Sequence, residues 1–188
     1  PVHRAGIPTN IRNTNAPEEI GTMITHGAVE EPNPYVITGI AGRLGFSVIS
    51  VEKAMMNGEV GFGRKVLQAV EEFGLSFEHM PTGIDTMCVV LSTAELEPVK
   101  EQLTRRIWET TNPDTLTIHD NMGIIATVGR GMVHNPGTAA RLFTALSRYH
   151  INVRMIDQGS SELSILVGVD SGEFQQAILA IYDEFVSE

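Results

Sequence analysis

Two short stretches place small residues at the start of an amphipathic segment: Gly61-Phe62-Gly63 and Asn135-Pro136-Gly137. A helix beginning there points its unpaired N–H groups and the positive end of its dipole outward, which suits a carboxylate. Glycine lets a ligand approach the backbone closely, and Pro136 fits a first helical turn. The chemistry on offer is the holding of a small anion, or of a free amino acid with its carboxylate and ammonium. The competing reading is a pair of ordinary helix starts, and these residues alone do not choose between them.

Bond-making chemistry finds less support. GRGM at 129–132 and GFG at 61–63 lack the strand, loop and Lys-Ser/Thr order that cradles phosphates. The histidines at 3, 26, 79, 119, 134 and 150 show no metal-ligand spacing. Ser160-Ser161-Glu162 reads as a hairpin turn, since no paired base accompanies the hydroxyls. Cys88 lies inside the strand-like MCVVL, as a buried inert thiol would, and one cysteine makes no internal disulfide. Catalytic residues, metal ligands and a bound cofactor are therefore not expected in this chain.

The whole composition narrows the partners. A formal charge of -10 argues against nucleic-acid phosphates and an anionic membrane surface. No apolar run approaches the ~18 residues of a membrane helix, and no basic-then-apolar leader opens the chain. A cytoplasmic location is the expectation. The start at Pro1 rather than methionine suits a piece of a longer protein.

The elements that must position the two small-residue stretches come in duplicate. A shift of 76 positions lays Leu75-Ser-Phe-Glu-His-Met80 on Ile151-Asn-Val-Arg-Met-Ile156 without a gap. It also lays Met56 on Met132, Gly61 on Gly137 and Met87-Cys-Val-Val-Leu91 on Leu163-Ser-Ile-Leu-Val167. So long a spacing means duplicated domains, not a solenoid. Each copy reads as strand (FSVISV; MGIIATV), Gly-Met loop, helix, strand, polar turn, strand and helix. The helix faces are Val66, Leu67, Val70 and Phe73 in one copy, and Leu142, Phe143, Leu146 and Tyr149 in the other. This order predicts an α+β fold of two ferredoxin-like βαββαβ units, with antiparallel sheets and helices on one face. TLTIHD near 115–120 can supply the missing strand of the first unit, and YVITGIAGR near 35–43 that of the second.

With these residues in place the chain resembles a known family. NPGTAARLFTALSRYHINVRMIDQGSSELSILVGV in the second copy looks like the paired ACT domains that end aspartate kinases. PVHRAGIPTNIRNTNAPEEIGTMIT resembles the last strand and tail of their kinase domain. The resemblance implies residues 1–33 as kinase-domain tail and linker, 45–120 as the first ACT domain, and 34–44 with 121–188 as the second. It implies regulation by an end-product amino acid, lysine, alone or together with threonine. Feedback would fall on the first step of lysine, threonine and methionine biosynthesis, with catalysis, ATP and magnesium left to a kinase domain outside this chain. Homodimerisation through ACT domains is implied as well. Carried over, the effector residues are Met56, Gly61, Phe62, Gly63, Phe77, Glu78, Thr82, Gly83, Ile84 and Asp85. Asn152, Val153 and Gln158 are the second-unit positions that can face ligand or partner. Glu78, helped by Asp85, is expected to meet a ligand ammonium. Lysine-sensing relatives often have Asp where this chain has Glu78, and Thr-Ser-Glu where it reads Thr82-Gly83-Ile84-Asp85, which leaves the effector open. The alternative is a structural dimerisation module without effector.

Overall fold

The computed structural model describes Val2, residues 4–25 and residues 35–186, apart from the side chain of His134. The chain divides into two units, Pro1–Pro34 and Tyr35–Glu188. In the first, β1 (Thr9–Ile11) pairs antiparallel with β2 (Thr22–Ile24). Arg12 closes this hairpin by donating from Nε and Nη2 to the carbonyl of Glu19, at 3.0 and 2.6 Å. The junction expected at 33/34 lies outside the described residues, as do His3 and His26.

The second unit is built on two strands of 14 residues each, β3 (Gly39–Glu52) and β6 (Thr115–Val128). Around them lie α1 (Phe62–Glu72), β4 (Phe77–His79), β5 (Thr86–Ser92), α2 (Thr93–Leu96) and α3 (Lys100–Thr111). Then follow α4 (Thr138–Arg148), β7 (Met155–Asp157), β8 (Ser164–Asp170) and α5 (Phe174–Val186). The sheet order is β4-β5-β3-β6-β8-β7, all antiparallel.

TLTIHD pairs with the second half of β3, with Ile118 opposite Ile49 and Leu116 opposite Val51. Gly39–Leu44 pairs with Gly123–Val128. Each half of the sheet therefore has the four-strand order of a ferredoxin-like unit, and each borrows a strand segment that runs on into the other half. The stretches read from sequence as separate strands are continuous. Boundaries expected at 44/45 and 120/121 fall inside them, beside irregularities in register between Leu44 and Val48. Gly45 at φ +91° and Asn121 at φ +58° supply the left-handed backbone that a bulge uses to bend a strand.

Alternation along the bent strands sorts the core into three parts. Ile49, Val51, Val89 and Leu91 meet Val66, Ala69 and Val70 of α1 and Leu103 and Ile107 of α3. Ile125, Ile165, Val167 and Val169 meet Leu142 and Leu146 of α4 and Ala177 and Ile181 of α5. On the opposite face Phe46, Val48, Val90, Met122 and Met155 bury one another. Such burial on a face without helices requires the sheet to curl over itself. Its outer strands in fact come together: Nε2 of His79 on β4 lies 3.1 Å from Oδ2 of Asp157 on β7.

The bend is braced. Asp120 accepts from Lys100 Nζ at 2.7 Å and from the fully buried Ser47 hydroxyl at 2.6 Å. Ser47 also meets Thr93 Oγ1 at 2.9 Å. The Lys100 ammonium, and then the Ser47 hydroxyl, hold the Asp120 carboxyl below its ordinary value. A lowered carboxyl stabilises the fold in full above the unfolded value, about 3.9, and that contribution is lost as pH falls through the lower folded value. Asp120→Asn is therefore expected to melt below the unsubstituted chain at pH 7, with the gap closing in acid. Thermal melts from pH 7 down to pH 3 check this; a gap that stays constant over that range would count against the brace.

Candidate ligand-binding site

In the first half of the sheet the loop from β3 to α1 is strapped to the turn between β4 and β5. Asp85 accepts the Met55 N–H on Oδ1 at 2.8 Å, and its carbonyl accepts the Lys53 N–H at 2.9 Å. Asp114 takes the Ala54 N–H at 2.7 Å. Glu59 receives Lys53 Nζ and Lys65 Nζ, both at 2.6 Å, and those two ammonium groups, Lys53 first, hold its carboxyl below the ordinary value. Gly61, at φ +82°, turns the chain into α1. Met56 and Phe62 are buried in the core, and Lys53 Nζ lies 5.7 Å from the centre of the Phe62 ring.

The second half repeats the plan with smaller side chains. Gly137, at φ +92°, turns the chain into α4. Thr138 stands where the first half has Phe62, and its hydroxyl donates to the Asn135 carbonyl at 2.8 Å. Asn135 Nδ2 donates to the Gly131 carbonyl at 2.7 Å. Between the start of α4 and the turn from β7 to β8 lies a cavity of about 490 Å³, bordered by Met132, Gly137, Ala139, Gln158, Ser160 and Glu162. Helix N–H groups, an amide, a hydroxyl and a carboxylate thus border one space. Such a set can take both ends of a small zwitterion.

The ACT domain family matches residues 125–185, which include this cavity. Aspartokinase 3 of Bacillus subtilis (strain 168) is 42% identical over 98% of this chain. The crystal structure of Clostridium acetobutylicum aspartate kinase, an allosteric enzyme, superposes on 98% of the chain with a TM-score of 0.91 at 47% identity. Residues 125–185 form an ACT domain, and the chain is similar to aspartokinases over nearly its whole length. It spans 40% of the Bacillus protein and 42% of the Clostridium one. E. coli aspartokinase III, solved with lysine and aspartate, shares the fold over 98% of this ACT chain at 17% identity, with a TM-score of 0.74.

Within the ACT chain, the residues expected to hold an effector fall into separate groups. Met56 and Phe62 are core side chains, so only their backbone faces the loop. A Cβ on Gly63 would touch Met87 Sδ at an ordinary 3.6 Å. Phe77 is 47% exposed. Glu78 is held by Arg43 Nη2 at 2.9 Å and borders a different cleft, whereas Asp85 is spent on the Met55 N–H. Glu78 and Asp85 thus have separate protein partners, Arg43 and the Met55 N–H. Thr82, whose hydroxyl donates to the Met80 carbonyl at 3.3 Å, and Gly83, whose N–H donates to Thr86, shape the turn. Ile84 is 70% exposed. Of the three second-half residues, Gln158 borders the cavity; Asn152 is exposed and Val153 packs on the second core.

Sequence reasoning left Met132, Gly137, Thr138, Ala139, Ser160 and Glu162 off the effector set. The repeat itself was the signal that could have found them, since the 76-position shift carries Met56 to Met132, Gly61 to Gly137, Gly63 to Ala139 and Ile84 to Ser160. Among the described residues no group of His, Cys, Asp and Glu could hold a metal ion, and no helix is long and apolar enough to cross a membrane. Burial raises the Cys88 thiol above its ordinary value, which keeps it protonated and unreactive.

Proposed function

We propose that this chain regulates an aspartokinase by taking up an end-product amino acid, lysine, alone or together with threonine. The observation that carries the reading is the cavity at the start of α4, whose volume of about 490 Å³ falls in the usual range for small-molecule sites. In this reading the ligand carboxylate sits on the first-turn N–H groups of α4, and its ammonium meets Gln158, Ser160 and Glu162. Lysine in the E. coli enzyme of the same fold supports that choice. The first-half loops then serve a second copy of the chain: Met55, Val60 and Ile84 are 79%, 97% and 70% exposed and would be covered in a homodimer. Feedback on the kinase follows when the ligand prefers one assembly state over another.

Ala139→Glu tests the site. A carboxylate in the first turn of a helix is tolerated by the dipole, so the melting temperature should hold. Inside the cavity the same carboxylate repels the ligand's own. The loss of a charge-assisted contact of about 1.5–3 kcal/mol weakens binding roughly ten- to a hundredfold. Calorimetric titration of both proteins with L-lysine and L-threonine, alongside sedimentation, provides the measurement. Binding of neither amino acid by the unsubstituted chain, with dimers still present, would leave the structural dimerisation module as the better reading. Equal affinities in the two proteins would move the site away from α4.

A further inference from the structure

The pair that joins the outer strands sits at the root of both turns described above. His79 ends β4 and leads into the turn that carries Thr82 and Asp85; Asp157 ends β7 and precedes Gln158 at the cavity. The contact is close but poorly directed. Nε2 of His79 is buried and 3.1 Å from Oδ2 of Asp157, yet out of line for a hydrogen bond. A buried ring nitrogen in that state gains from any small rotation that improves the angle. There is room for one. Beside the pair lies a cleft of about 250 Å³ bordered by His79, Arg43, Phe46, Ile124, Ala126 and Leu166. β4 and β7 are three residues long, and each is hydrogen-bonded to one neighbour in the sheet order, so they are the parts most easily shifted.

The geometry points to a latch: the His79–Asp157 pair couples the turn of the first half to the turn of the second, so that a ligand held at one changes the other. The coupling of ligands rests on the proposed amino-acid binding; the latch itself does not. His79→Leu, Asp157→Asn and the double variant of the whole chain test it by amide hydrogen exchange. Each single change should speed exchange at residues 77–84 and at residues 155–162 together, by about two- to fivefold, as the loss of one weak polar contact yields. β5 and β8 should be unaffected, and the double variant should exchange no faster than the singles. Acceleration confined to the strand that bears the change, or additive effects in the double variant, would overturn the latch. With L-lysine added, both turns should be protected in the unsubstituted chain and only one of them in the variants. Protection of both turns in every variant would show that the pair transmits nothing. Protection of neither turn in the unsubstituted chain would sink the amino-acid reading, while exchange without ligand still decides the latch.

Discussion

Gly129→Ala is expected to lower the melting temperature by roughly 6–12 °C, at about 3 kcal/mol of overpacking and 2–4 °C per kcal/mol in a chain of this size. A Cβ built on Gly129 would lie 2.4 Å from the Val36 carbonyl oxygen and 2.6 Å from the Ile37 Cα. Both are backbone atoms, so no side chain can rotate away. The segment they belong to is fixed on its other side, with the Thr38 N–H bonded to the Val128 carbonyl at 2.7 Å and Ile37 buried in the second core. Gly129 itself is extended, at φ 179°, so the effect is contact alone and not backbone strain. Gly131 repeats the situation, 2.9 Å from the carbonyl oxygens of Tyr35 and Val36. Gly172→Ala is the control, because nothing lies within 4 Å of its would-be Cβ. Thermal melts of the three proteins provide the measurement. A shift at Gly129 no larger than that at Gly172 would mean that residues 35–38 do not rest against the start of the loop before α4.

Leu103→Ala and Ile181→Ala should each cost about 3 kcal/mol, the middle of the range for emptying a fully buried aliphatic site. Leu103 on α3 and Ile181 on α5 are both 0% exposed, and they belong to separate clusters. Their costs should therefore add in the double variant to within about 0.5 kcal/mol. Each single variant should nevertheless unfold in one transition. β3 and β6 run through both halves, and the third cluster of Phe46, Val48, Val90, Met122 and Met155 lies between them. A half that loses its own core cannot release its strands without pulling ladder from the other. Urea unfolding followed by both circular dichroism and Trp108 fluorescence checks this, since Trp108 reports on α3 and the dichroism on the whole chain. Two separated transitions in either variant would mean that the halves fold independently.

What the sequence determined by itself was the inventory and its duplication. The helices are legible because Val66, Ala69 and Val70, and likewise Leu142, Ala145 and Leu146, recur at helical spacing. Gly61 and Gly137 announce the helix starts because a left-handed turn favours glycine. Alternation and β-branching announce β5 and β8, and the shift of 76 positions relates the two halves. All of this is local information, repeated. The tertiary structure decided what depends on residues far apart in the chain. Whether TLTIHD and GIIATV are two strands or one depends on the bulge at Asn121 and on how its neighbour Asp120 is held by Lys100 and Ser47, which no local pattern encodes. The cavity at the start of α4 is bordered by Thr138 and Ala139, where the first half has Phe62, buried in its core, and Gly63. Glu78 looked free for a ligand because Arg43, 35 positions earlier, reaches it only after the sheet has curled. The same curl, set by strand twist and two bulges, brings His79 to Asp157 across a six-stranded sheet.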